Sequence, residues 1–220
     1  RRLMMQRIYF FFLLIPFLFI LGCAPEGEDL QAENANNLAV PSTTTQASLL
    51  SDSGWVILFD GQDLSSFNEI GEGDWTIVDG YVESSDASGS HLVSKGQYTD
   101  FRLKVDFWNG VGSNSGVFIR CDSEESASPD TCYEINIYDL NENPDNRTGA
   151  IMRHSPPLIT TETEGNWNTY DIVAQGSNIT VMLNGNITAE IEDNTHPDGP
   201  FTLQSNGGTI RFGTVQIKPL

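Results

Sequence analysis

The stretch Asn114–Asp139, NSGVFIRCDSEESASPDTCYEINIYD, decides the fold of this chain. Two short runs, Ser115–Arg120 and Tyr133–Asp139, alternate apolar with other side chains and contain many β-branched and aromatic residues. That pattern is typical of β-strands. The polar loop between the two runs favours an antiparallel pair. We therefore expect a β-sheet protein with this pair near its centre.

Alternation distributes the side chains of this strand pair over two faces. In the first run Arg120 lies on the face opposite Val117 and Ile119. In the second run the polar face carries Glu134, Asn136 and Tyr138. A cation, a carboxylate and hydrogen-bonding groups on a rigid sheet can form a site for a polar ligand. The alternative is a solvated outer face, on which an ion pair contributes little.

Further strands are indicated throughout residues 54–220. The run Phe101–Trp108 alternates apolar and polar residues along its whole length, and the dipeptides Asp79-Gly80 and Asn184-Gly185 favour tight hairpins. No long segment shows helical periodicity. Many short strands at regular spacing predict an all-β sandwich, and a jelly roll with one concave face is the expected architecture.

The first 53 residues differ in composition from the rest. Three arginines precede the apolar run Ile8–Leu21, which is short for a membrane span and ends at Gly22-Cys23. This arrangement resembles a bacterial lipoprotein signal, with residues 1–22 removed and Cys23 lipidated. A buried helix or a plain signal anchor is the alternative. Residues 23–53, rich in polar side chains, are expected to form a disordered tether to the folded domain, residues 54–220.

The expected location follows from the same segment. Ala24, rather than an aspartate, follows the cysteine, which resembles a signal for the outer membrane. We expect a lipoprotein of the bacterial cell envelope, anchored to the membrane and facing the periplasm or the exterior. All 30 acidic residues lie after Cys23, where the remaining 8 basic residues leave a net charge of −22. A nucleic-acid partner is excluded, because phosphate binding requires a basic surface.

Cys121 and Cys132 stand at the inner ends of the two central strands. A disulfide between them is plausible in an oxidising compartment and would stabilise the fold by roughly 2–3 kcal/mol. A metal-binding pair is less favoured, because no further Cys or His has zinc-site spacing. If the cysteines were directly opposite each other, Arg120 and Glu134 would share a face only after a register shift of one residue or a bulge.

The strand motifs together resemble the 3-keto-disaccharide hydrolase domain family, once known as DUF1080, over nearly all of Gly54–Leu220. The matching segments are GWVILFDGQDLSSF, DWTIVDGYV, YTDFRLKVDF, NSGVFIR, YEINIYD, TGAIM, GNWNTYDI, ITVMLNG and LQSNGGTIRFGTVQIKPL. The resemblance implies a concanavalin-like jelly roll that cleaves disaccharides or glucosides oxidised at C3 of the sugar. Members are commonly exported, often as lipoproteins.

The resemblance also implies site residues. Arg120, Glu134 and Asp139 match positions that make them candidate catalytic residues. Together with the strand faces, it suggests a set of substrate-binding residues: Asn114, Asn136, Tyr138, Trp167 and Gln204. A core position is the alternative for Trp167. The sequence departs from the family at Ser205-Asn206-Gly207 and Phe212-Gly213-Thr214, so that a histidine and an arginine of the family are missing.

The cleavage reaction implied by the resemblance requires three kinds of chemical group. A 3-keto group acidifies the C2 hydrogen, so that elimination across C1 and C2 requires a base, a proton donor and a group that stabilises the enolate. Glu134 or Asp139 could be the base or acid, and Arg120 or a divalent metal could stabilise the enolate. The alternative function is a non-catalytic carbohydrate-binding surface lipoprotein. The histidines share no motif and are expected on the surface or in loops: His91, His154 and His196.

Overall fold

The computed structural model describes residues 54–85, 88–125 and 127–220. These residues form thirteen strands: β1 Val56–Phe59, β2 Phe67–Ile70, β3 Thr76–Val78, β4 Tyr81–Ser85, β5 Ser90–Ser94, β6 Phe101–Asn109, β7 Ser115–Ile119, β8 Tyr133–Ile137, β9 Trp167–Gln175, β10 Asn178–Leu183, β11 Asn186–Glu192, β12 Thr202–Ser205 and β13 Thr209–Pro219. A short 3-10 turn, Pro144–Asn146, lies between β8 and β9. The predicted signal peptide, Cys23 and tether lie outside the described residues.

The strands build two antiparallel sheets. The larger sheet has the order β11-β10-β9-β6-β13-β4-β3, and β1 also pairs with β13. The smaller sheet has the order β2-β5-β12-β7-β8. The predicted all-β sandwich is confirmed. No helix in the described part of the chain is both long and apolar enough to cross a membrane.

The core lies between the two sheets and follows from strict alternation. In β6 every second residue is buried, from Phe101 to Asn109, while the residues between them are half-buried. Phe107 stacks on Tyr170 of the neighbouring β9, with ring centroids 4.9 Å apart. Full burial of a large apolar side chain contributes roughly 1.5–3 kcal/mol, so this central row dominates the cohesion of the sandwich.

Two predicted hairpins are confirmed. Asp79 and Gly80 have φ values of 47° and 85° and connect β3 to β4. Asn184 and Gly185, with φ values of 51° and 82°, connect β10 to β11. Positive φ at both central positions is the requirement of a type I′ turn, which explains why Asx-Gly stands at these positions.

The register of the central pair resolves the question that the sequence left open. Phe118 is opposite Glu134 and Ile119 is opposite Tyr133, so the pairing is shifted by one residue from a direct Cys121–Cys132 register. Strand β7 ends at Ile119, because Arg120 has a φ of 51° and leaves the extended conformation. Alternation therefore no longer determines where the Arg120 side chain points.

The two cysteines close the loop that follows β7. Cys121 and Cys132 form a disulfide, with their Cα atoms 4.3 Å apart. Both cysteines pack against Phe118 on the outer face of the smaller sheet, and Ala127 of the loop packs against the same cluster. The disulfide therefore lies on the outer face of the smaller sheet, close to the end of β7.

Candidate active site

The outer face of the five-stranded sheet carries a row of polar side chains. Gln204 of β12 is opposite His91 of β5, and Asn136 of β8 is opposite Gly116 of β7. The next step of the β12–β7 register places Gln204 beside Gly116. Glu134 lies two residues before Asn136 in β8, on the same face of the sheet. We call Glu134, Asn136, Gln204 and His91 the polar cluster.

Glu134 is the carboxylate of this cluster. Its side chain leans over Gly116, where a Cβ atom, if the glycine had one, would lie 3.2 Å from Glu134 Oε1. Only 7% of Glu134 is exposed, and this burial raises the pKa of its carboxyl to about 7. Desolvation disfavours the charged form, and no cation among the described residues offsets it. A carboxyl with this pKa can accept and return a proton near neutral pH.

Gln204 and His91 lie on the same face of the sheet as Glu134, two and three strands away from it. Gln204 is 8% exposed, and its buried Oε1 has no hydrogen-bond partner among the described residues. An unsatisfied buried amide oxygen costs free energy, so a ligand group is its natural partner. His91 Nδ1 lies 3.2 Å from the Thr202 hydroxyl, and burial lowers the pKa of the imidazole, which favours its neutral form.

The side chains at the two ends of the cluster lean towards each other. The His91 ring turns from β5 towards β12 and β7, with its centroid 5.7 Å from that of Phe118. Glu134 turns from β8 towards β7 over Gly116. Because Gly116 has no side chain, the Glu134 side chain can lie across β7 towards β12.

Asn136 connects the cluster to the loop that follows β8. Its side-chain Nδ2 donates to the carbonyl of Asn146, and its backbone carbonyl accepts from the Tyr170 hydroxyl at 2.6 Å. The backbone N–H of Asn136 donates to the carbonyl of Ala150 at 3.0 Å. Asn136 is thereby fixed between the sheet and the loop that follows β8.

The structure does not bring Arg120 into the cluster, so the expected Arg120–Glu134 site is wrong. Arg120 is fully buried. Its Nε and Nη1 donate to the carbonyls of Thr99 and Gly176 at 2.9 and 2.8 Å, and Nη2 lies 3.3 Å from Asp100 Oδ1. The positive φ of Arg120 sends the guanidinium to the end of the larger sheet. Arg120 ties the two sheets together and cannot reach a ligand above Glu134.

Asp139, like Arg120, has a structural role and is not a member of the polar cluster. Its carboxylate accepts the backbone N–H of Thr163 at 2.5 Å and that of Glu164 at 3.2 Å. The hydroxyls of Thr163 and Thr148 donate to its other oxygen. Four donors occupy a carboxylate that has about four lone-pair sites, so Asp139 holds the loop after β8 and has no lone pair left for a substrate.

The remaining predicted binding residues are scattered. Trp167 lies on the outer face of the larger sheet, where it is 49% exposed and opposite Trp108. Asn114 precedes β7 and exchanges backbone hydrogen bonds with Gly207 and Asn206. Tyr138 follows the end of β8 and is half-buried. Of the predicted binding residues, only Asn136 and Gln204 therefore lie in the polar cluster.

The sequence-based expectation for His91 was wrong, because His91 lies in a strand and is buried, as a member of the polar cluster. His196 lies in the loop between β11 and β12, as expected, but it is buried, and its Nδ1 lies 2.7 Å from Asp122 Oδ1 at the start of the disulfide loop. The pairing of His91 with Gln204 depends on the register of β5 and β12, which the sequence of Ser90–Ser94 does not reveal.

The described residues offer no ready metal centre. Within 54–85, 88–125 and 127–220, no group of three or more His, Cys, Asp or Glu side chains is arranged to hold a metal ion.

The two antiparallel sheets form a concanavalin-like β-sandwich, and solved structures share this architecture. Two structures from Parabacteroides distasonis, provisionally assigned as glycosyl hydrolases, match with TM-scores of 0.67 and 0.66. Their sequence identities are 20% and 25%; each match covers 76% of this chain, and 94% and 99% of theirs. A carbohydrate-binding module, CBM66 from Bacillus subtilis, matches with a TM-score of 0.55 at 15% identity, over 75% of this chain and 95% of its own.

The chain belongs to the 3-keto-disaccharide hydrolase family. Residues 54–218 match its domain, which is described as 3-keto-α-glucoside-1,2-lyase-like. No curated protein matches the chain significantly. Family and fold together establish a carbohydrate-related domain of the hydrolase and carbohydrate-binding type.

Proposed function

We propose that the protein cleaves the glycosidic bond of 3-keto-glucosides or 3-keto-disaccharides at the polar cluster, by elimination followed by addition of water. The observation that carries this proposal is the buried Glu134 carboxyl, whose pKa is raised to about 7, leaning over Gly116 beside the unpartnered Gln204. The description of the family as lyase-like supports an elimination step.

Each residue has a definite part in this reaction. The Glu134 carboxylate removes the proton from C2, which the 3-keto group acidifies, and the electron pair of the C–H bond moves towards the ketone. The Gln204 amide donates a hydrogen bond to the enolate oxygen. As the C1–O bond breaks, a C1=C2 enone forms, and the neutral His91 imidazole donates a proton to the leaving oxygen.

The second half restores the sugar. Water adds to C1 of the enone, His91 takes up a proton from that water, and Glu134, after its carboxyl proton has exchanged with solvent, delivers a proton to C2. The net result is hydrolysis, and both residues end in their starting protonation states. A raised pKa of Glu134 suits this cycle, because a carboxyl that must both accept and return a proton works best near the ambient pH.

The protein can be tested directly with 3-keto-trehalose and a 3-keto-glucoside. We expect release of the leaving sugar and, in deuterated water, incorporation of deuterium at C2 of the product. Glu134→Gln should reduce turnover by roughly 10²-fold or more, as expected for loss of a general base. Sugar release without deuterium at C2 would contradict the elimination mechanism.

A non-catalytic carbohydrate-binding role is the second candidate. It is favoured because Arg120 and Asp139 are held in hydrogen bonds to the backbone and have structural roles. Glu134 is then the one carboxylate of the polar cluster. In the same experiment, tight binding of the 3-keto sugar without any sugar release would support this candidate and reject the first.

A further inference from the structure

A cavity of about 510 Å³ lies on the outer face of the larger sheet, on the opposite side of the sandwich from the polar cluster. Strands β4, β6, β9 and β13 contribute its lining, with Tyr81, Asp106, Trp167, Thr169 and Gly213 as its main residues. Its size is within the range of small-ligand sites. No step of the proposed reaction uses any of these residues.

A β-bulge creates the floor of this cavity. Phe212 is opposite Phe107 and Val215 is opposite Val105, so Gly213 and Thr214 together oppose the single residue Asp106. A Cβ atom on Gly213 would lie only 3.2 Å from Asp106 Cβ and from Trp167 Cζ3. The glycine therefore allows the Trp167 ring to pack directly against the backbone of the bulge. Bulges occur often beside sites where a strand is redirected for function.

The wall of the cavity is a fixed aromatic surface. The Trp167 ring is 49% exposed and meets Tyr81 edge-on, with centroids 5.8 Å apart. The Arg211 guanidinium lies over Tyr81 at 5.0 Å and over Trp108 at 4.2 Å, and Arg211 Nε donates to Glu83 at 2.6 Å. Held by its edge contact with Tyr81, the Trp167 indole offers a large apolar surface whose ordering costs little entropy on binding.

The polar groups of the cavity select against anions. Its described lining includes two carboxylates, Asp79 and Asp106, and no Lys, Arg or His. Asp106 Oδ1 accepts the Thr169 hydroxyl at 2.6 Å, which fixes the carboxylate beside the indole. A carboxylate accepts hydrogen bonds from hydroxyl groups and repels other carboxylates and sulfates.

We propose that this cavity is a second saccharide site, which binds a neutral pyranose unit stacked on Trp167 with its hydroxyls on Asp106. A pyranose has an apolar C–H face, which suits the negative face of the indole, and a rim of hydroxyl donors, which suits the carboxylate. The choice of a saccharide rests on the proposed function. Because the two sites are on opposite sheets, this one binds a separate glycan and holds the enzyme on a polymeric material.

The proposal is tested by binding of neutral oligosaccharides, maltohexaose and cellohexaose, measured by calorimetry and by tryptophan fluorescence. The acidic oligomer hexagalacturonate is the charge control. We expect at least one neutral oligomer to bind and the acidic one not to bind. Trp167→Ala should weaken that binding at least tenfold, and Gly213→Val, whose side chain would displace the Trp167 ring, should do the same. Asp106→Asn should weaken it severalfold.

Two further variants separate this site from the polar cluster. Ile187 is 43% exposed on the same sheet and does not line the cavity, so Ile187→Ala is the matched control and should leave binding unchanged. Glu134→Gln should lose turnover of 3-keto substrates and keep the oligosaccharide binding.

The proposal is overturned if the wild type binds neither neutral oligomer, if Trp167→Ala and Gly213→Val bind as the wild type does, or if Glu134→Gln abolishes the binding. A wild type that binds but does not turn over substrate would instead refute only the proposed reaction.

Discussion

Replacing Glu134 by glutamine should change the way stability depends on pH. Burial raises the pKa of Glu134 from 4.5 to about 7, so between these two pH values the folded protein binds a proton that the unfolded chain has released. The stability that this proton contributes is fully present below pH 4.5 and is lost as the pH rises through 7. At 1.36 kcal/mol per pKa unit, the loss is about 3 kcal/mol.

The assay is urea denaturation of wild type and Glu134→Gln at intervals between pH 4 and pH 9. All other acidic residues cancel in the difference between the two proteins. We expect the free energy of unfolding of the variant, relative to that of the wild type, to rise by about 3 kcal/mol across this range and to be level above pH 8. If the two curves run parallel, the Glu134 carboxyl is not desolvated, and the basis for its proton-transfer role is removed.

Four other variants distinguish structural from chemical roles. Arg120→Ala should lower the free energy of unfolding by about 3–5 kcal/mol, because it leaves buried carbonyls without donors, and urea denaturation at pH 7 measures this. Asp139→Ala should lower stability by about 2–3 kcal/mol but retain turnover per folded molecule, whereas a loss of kcat at full folding would make it catalytic. The double variant Cys121→Ala/Cys132→Ala should lose about 3 kcal/mol, and thiol labelling of the unreduced, denatured wild type should find neither cysteine. His91→Gln should reduce turnover by about 10²-fold with an unchanged melting temperature, and an unaffected kcat would exclude it as the proton donor.

The sequence predicted the fold well because alternation and turn chemistry are local signals. Asp79-Gly80 and Asn184-Gly185 impose positive φ at both turn positions, which fixes where two hairpins reverse. The alternation of β6 determines its buried face without knowledge of its neighbours. The alternation of a strand depends only on the residues within it, so it can be recognised without knowing the rest of the fold.

The candidate site was harder to predict because it depends on register and on one backbone angle. Glu134, Asn136 and Gln204 were identified from strand faces and family motifs, and the structure brings them together around Gly116. Arg120 was misplaced because its φ of 51° ends the alternation one residue earlier than the sequence suggests. His91 was missed because its neighbour Gln204 is more than a hundred residues away along the chain, and no local pattern reports such a pairing.

The position of Arg120 has a consequence for comparing related sequences. An arginine that anchors two sheets through backbone carbonyls is required for folding whether or not the protein retains any chemistry. A homologue that has lost its activity would therefore keep the Asn-Ser-Gly…Arg signature intact. Searches that infer activity from this signature would count inactive members as enzymes, whereas under the proposed mechanism the pairing of a strand histidine with the Leu-Gln of the neighbouring strand would separate the two groups.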